Sequence, residues 1–173
     1  VDEVAAEAGV SPRTFFNYFP SKDDAIIGLP SPEASPLVAD LRARPADEPP
    51  LAALQATLMA SMARLETDPD RWALRTQLVQ RYPGLGVRFS ARMTELEQQL
   101  AVEVAERVGL DIHRDIYPAA VTGAVMGVVR AAMALWREHD PAPLSTLLDD
   151  GFSDLVRGFS WPPPAQDPSS QGA

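Results

Sequence analysis

Cysteine is absent from this sequence, which excludes disulfides, thiolate metal sites and cysteine nucleophiles together. Lysine is almost absent: Lys22 stands alone among arginines. The two histidines, His113 and His139, have no His/Asp/Glu spacing of the kind that holds a metal. A Gly-rich phosphate loop, a dinucleotide fingerprint and a nucleophile elbow are also missing. Asp149 and Asp150 are adjacent, so on a helix they point apart instead of forming a carboxylate pair. These absences argue against an enzyme, a cofactor and a metal. No run reaches the ~18–20 uninterrupted apolar residues of a membrane helix, and no charged-then-apolar export signal is present. The expectation is a soluble, cytoplasmic protein. Alternating apolar and polar strands are missing as well, and the fold class expected is all-α.

The net charge of −9 argues against nucleic acid as a partner for the surface as a whole. A DNA reader, however, needs only a local basic patch. Apolar residues make up 46% of the chain, enough for a proper core, and they recur at helical spacing. Leu51, Leu54, Leu58, Met62 and Leu65 form one stripe; Phe89, Met93, Leu96, Leu100, Val104 and Val108 form another, with Gly109 where a C-cap belongs. A helix through Trp72, Leu74, Leu78 and Val79 to Tyr82, capped by Asp68 or Asp70, is broken by Pro83 and Gly84. Tyr117 to Trp136 is apolar nearly all round and should be buried on most sides. Leu144, Leu147, Leu148, Phe152, Leu155, Val156 and Phe159 make a last amphipathic helix.

Three parts follow. Residues 1–30 are short-period and turn-punctuated. A proline-rich stretch around Leu37–Leu41 leads into a helical unit over 37–160. Residues 161–173 have the Pro/Ser/Gln/Gly composition of a disordered tail. The surplus apolar area on 117–136 asks for a partner, and a four-helix dimer seam with the final helix is the simplest solution, through Met133, Trp136, Phe152 and Leu155. Trp72, Arg75, Met93, Tyr117, Met126 and Arg130 have the make-up of an apolar ligand cavity with a few polar anchors.

The first part reads as two helices and a tight turn. Val4, Ala5 and Ala8 give a first helix a small apolar face; Gly9 supplies the positive φ of the turn, and Val10 fills the angle. Ser11 is suited to an N-cap and Pro12 to the first helical position. Phe15 and Phe19, four apart, face inward, which leaves Arg13, Thr14, Phe16, Asn17 and Tyr18 outward. Pro20 ends the helix and Ser21 caps the next.

The run AAEAGVSPRTFFNYFPSKDD over residues 5–24 resembles the helix-turn-helix of TetR-family transcriptional regulators. Pro-Gly-Leu at 83–85 and Leu-Glu-Gln-Gln-Leu at 96–100 are similar to subfamilies related to acyl-CoA-sensing regulators. The resemblance implies a homodimeric repressor that binds double-stranded operator DNA and is released by a small hydrophobic or amphipathic effector. It implies that the helix beginning at Pro12 enters the major groove, with Arg13 on guanine, Asn17 on adenine and Phe16 on a thymine methyl. It places Thr14, Tyr18 and Lys22 at the phosphates and counts Ser11, the N-cap, among the DNA-binding residues. The family also has a helix ahead of the one that starts near Asp2; it is not in this sequence, so Val4, Ile26 and Ile27 are expected to keep unburied apolar area. A helical dimerisation or small-molecule-binding module without DNA-binding activity is the alternative.

Overall fold

Each proline that opens a helix here does so where it costs nothing, because its missing N–H is one of the first-turn donors a helix leaves unpaired anyway. Pro12, Pro36, Pro50, Pro69 and Pro83 each begin a helix. The computed structural model describes residues 1–138 and 143–158. Among them every regular element is helical: α1 (Asp2–Glu7), α2 (Pro12–Tyr18), α3 (Lys22–Ile27), a 3-10 turn at Pro32–Ala34, α4 (Pro36–Arg42), α5 (Pro50–Glu66), α6 (Pro69–Arg81), α7 (Pro83–Val108), α8 (Ile116–Glu138) and α9 (Leu144–Val156). Phe159, His139 and the tail 161–173 lie outside the described residues.

The core belongs to α4, α5, α7, α8 and α9. Leu41, Leu54, Leu58, Leu100, Val104, Val125, Met126, Leu144, Leu148 and Phe152 are all nearly inaccessible and form one cluster. Gly151 lets α9 approach α8 closely: a Cβ there would meet Val128 Cγ1 at 2.6 Å. Arg107 closes α4 from below, donating to the carbonyls of Pro45, Leu41 and Arg44. The guanidinium thereby ties α7 to the last turn of α4 and to the turn that follows it.

The break expected at Pro83 falls there: Tyr82 is the N-cap of α7 and Pro83 its first residue, so the long helix begins six residues before Phe89. Two expectations change. In α6, Leu74 is 58% exposed, because the helix turns its polar-rich surface outward and packs only one side on α3, α5 and α7. α8 is not buried on most sides. It packs against α5, α7 and α9, but within Ile116–Trp136 only 33% is buried. By length and composition that stretch, in which Arg130 is the one charged residue, is apolar enough to cross a membrane. Tyr117, Ala120, Ala124, Ala131 and Leu135 line its bare side.

Candidate nucleic-acid interface

The outward face of α2 is set by its N-terminus. Ser11 Oγ accepts from the backbone N–H of Thr14 at 3.1 Å and lies 2.8 Å from Thr14 Oγ1. Ser11 is therefore the N-cap, as expected, and its contact with the Thr14 hydroxyl leaves both oxygens further hydrogen-bonding capacity. Gly9 has φ 66°, as the turn requires. Phe15 is buried and packs edge-on against Phe16 at 5.5 Å and tilted on Phe19 at 5.7 Å. With that ring anchored, Arg13, Asn17 and Tyr18 are exposed and Phe16 is 47% exposed. Arg13, Phe16 and Asn17 fall at i, i+3, i+4 on one face. Lys22 is exposed in the first turn of α3.

In α1 only Ala5 is buried, and the helix packs chiefly on α2. Val4 and Ile26 are exposed as expected, but Ile27 is fully buried, since α3 seats it against α6 and α7. Val10, expected to fill the angle of the turn, is 38% exposed.

Behind the reader sits a group that the sequence did not disclose. Asp24 is fully buried on α3. Its Oδ1 accepts from Arg88 Nε at 2.9 Å and Arg92 Nε at 2.8 Å; its Oδ2 accepts from Arg88 Nη2 at 2.6 Å, Arg92 Nη2 at 3.2 Å and Ser21 Oγ at 2.7 Å. Burial pushes this carboxyl up, but the hydrogen bonds from Arg92, Arg88 and Ser21 and the charge of Arg92 outweigh it and hold it well below the usual carboxylate range. The signal was present as Ser21-x-x-Asp24, a capping pattern, and as two arginines four apart on α7. Nothing in the sequence joined them. The cluster also offsets part of the acidity of residues 1–29, where Arg13 and Lys22 face Asp2, Glu3, Glu7, Asp23 and Asp24.

Residues 1–26 match the profile described as bacterial regulatory proteins, tetR family, and residues 48–160 match the MftR C-terminal domain. The chain belongs to the TetR family. It is 31% identical over 164 residues, 90% of this chain and 73% of the relative, to the HTH-type transcriptional regulator TcmR of Streptomyces glaucescens. Membership makes this TetR-type protein a DNA-binding transcriptional repressor. Regulators of the family are generally non-enzymatic, soluble and cytoplasmic, and they dimerise. Among the described residues no cluster of metal-binding side chains occurs.

The other expected residues of this TetR-family regulator are not gathered into one place. Arg75 stacks on Trp72 at 3.9 Å and donates to the Ile27 carbonyl at 3.0 Å. Met126 is core and Met93 packs against it. Tyr117 is 44% exposed on the outer side of α8, and Arg130 is ion-paired at the surface with Glu97 at 2.9 Å. Tyr117 and Met126, nine positions apart on α8, fall about half a turn apart and so face opposite ways. A cleft of about 160 Å³ is lined by Leu41, Arg42, Arg44, Glu103, Glu106 and Arg107 among others, and one of about 270 Å³ by Gln55, Asp149, Phe152, Ser153, Val156 and Arg157; neither includes any of the six. Of the residues expected at the dimer seam, Phe152 is buried in its own chain, and Met133, Trp136 and Leu155 are partly buried against the same core. The outward side of α9 carries Thr146, Asp149, Asp150 and Ser153, with Val156 63% exposed near its end.

Proposed function

We propose that two copies of this TetR-family repressor pair through the bare side of α8 and present their α2 helices to successive major grooves of a near-palindromic operator. Arg13 and Asn17 read base edges, Phe16 reaches a thymine methyl, and Ser11, Thr14, Tyr18 and Lys22 hold phosphates. The observation that carries this is the capped α2, with Phe15 anchored beneath and Arg13, Phe16 and Asn17 displayed together. A two-fold places such helices about one helical turn, ~34 Å, apart.

An apolar or amphipathic effector, bound among α5–α8, prefers the state that does not hold DNA; by linkage, DNA then weakens the effector by the same factor. Supporting this, Met59, Met62, Met93 and Leu96 are only partly buried, and the buried Trp72 Nε1 has no hydrogen-bond partner among the described residues. Such a donor suits a ligand acceptor. Selection from a random duplex library by the whole chain tests the reader. Recovery of inverted repeats is the expected result, and recovery of no sequence refutes it. Thermal-shift screening with apolar and acyl-thioester compounds tests the effector; binders that all leave operator affinity unchanged refute release.

A further inference from the structure

We propose that Asp24 is a positioning residue: clasped by Arg88 and Arg92, it fixes the angle at which α3 carries α2, and so the half-site spacing that the dimer accepts. The consequence for DNA rests on the proposed operator binding; the rigid link itself does not.

The apolar joint between the reader and the bundle is thin. Ile27 is seated, but Val4, Val10 and Ile26 are exposed, and hydrophobic contact is non-directional in any case. Orientation must come from directional contacts, and α3 has them at both ends. Near its start, Asp24 receives five hydrogen bonds on two oxygens, each guanidinium gripping both. Paired bidentate contacts fix direction as well as distance. Arg88 and Arg92 sit four apart on α7, and Arg92 is itself steadied by Glu95 at 2.5 Å. At the other end, Arg75 of α6 holds the Ile27 carbonyl. Gly28, with φ 66°, leaves the room for this, since a Cβ would come within 2.9 Å of Arg75 Nη1. Ser21 couples the clasp to the reader: its Oγ accepts from the Asp24 N–H and donates to the Asp24 carboxylate, three residues after α2 ends at Tyr18. Tyr18 in turn accepts from Ser31 N at 2.9 Å. Two helices of the bundle therefore hold the short α3 against rotation about its own seat.

The absence of cysteine makes the test clean. Spin labels at Asn17→Cys on α2 and Gln98→Cys on α7, diluted into unlabelled chain, report the distance within one chain. The expected result is one narrow distribution for the parent and a broadened or displaced one for Asp24→Asn and for Arg88→Gln. Arg88, whose side chain is 39% exposed, can lose its charge without sealing in an unpaired group, so this variant folds even if Asp24→Asn does not. Arg88→Lys restores part of the order. Unlabelled chains are then titrated with duplexes that the parent recovers from a random library, varied in half-site spacing. The parent should prefer one spacing by about tenfold or more, and both variants should fall to about two- to threefold with base preference unchanged. Distributions as narrow as the parent's in both variants overturn the proposal, as does spacing selectivity retained by both. A parent that recovers no DNA refutes the operator reading alone, and the distances still decide the clasp.

Discussion

Placing one carboxylate on the bare side of α8 should convert the dimer to monomers. Ala124 is exposed there, between the flanking Ala120 and Ala131, and Leu135 is 53% exposed one turn beyond. Neither belongs to the core cluster, so Ala124→Glu and Leu135→Glu should leave the single chain folded. In a two-fold seam the same surface meets itself, and every substitution enters twice. A carboxylate sealed in without a partner costs roughly 2–3 kcal/mol, so the pair costs about 4–6 kcal/mol before mutual repulsion is counted. At ~1.4 kcal/mol per tenfold, the dimer should weaken by about 10³–10⁴-fold. Sedimentation equilibrium reads this directly. Val87→Glu is the control, since Val87 is 72% exposed on α7 and outside the seam; it should stay dimeric. Met133→Glu or Leu155→Glu would not decide the matter, because both side chains already pack in their own core. Dimers of unchanged affinity in both α8 variants would refute the seam, and so would monomers in the control.

Four further outcomes are expected. Phe152→Ala should destabilise the chain by about 3–5 kcal/mol in urea titration, because the ring is only 2% exposed; a loss under about 1 kcal/mol would mean that the ring is not core. Lys22→Ala should weaken binding to every duplex alike and reduce the salt slope by about one phosphate per subunit, while Arg13→Ala should cost ~1–3 kcal/mol per half-site and relax one base position; the reverse pattern would exchange their roles. Ser11→Ala should lose about 1 kcal/mol of stability, with amide exchange accelerated in α2 more than in α7–α9. Because the Asp24 carboxyl is depressed in the fold, its contribution is fully present above the unfolded value near 3.9 and is lost as pH falls through the lower folded value. The stability difference between the parent and Asp24→Asn should thus be flat from about pH 5 upward and shrink below about pH 4; a difference that shrinks near pH 7 would contradict the burial of Asp24 between Arg88 and Arg92.

Local chemistry by itself determined most of the helices and the face that α2 displays. Proline fits the first turn of a helix or follows its end, serine caps one, glycine takes φ above zero, and helical spacing puts Arg13 and Asn17, four apart, on the side away from Phe15. These are short-range constraints, legible within one turn. The stripes of α5, α7 and α9 were readable for the same reason. Periodicity says that a side of a helix is apolar, but not which neighbour takes it. Only the tertiary structure decided that α9 spends most of its stripe on its own chain, that α8 keeps a bare side, and that Met126 lies in the core while Tyr117 lies on that bare side. The same holds for Asp24. Its partners lie 64 and 68 residues along the chain, and a carboxylate in a first turn reads as a capping charge until the fold brings two arginines onto it. Burial is a property of the assembled bundle, and no window of sequence contains it.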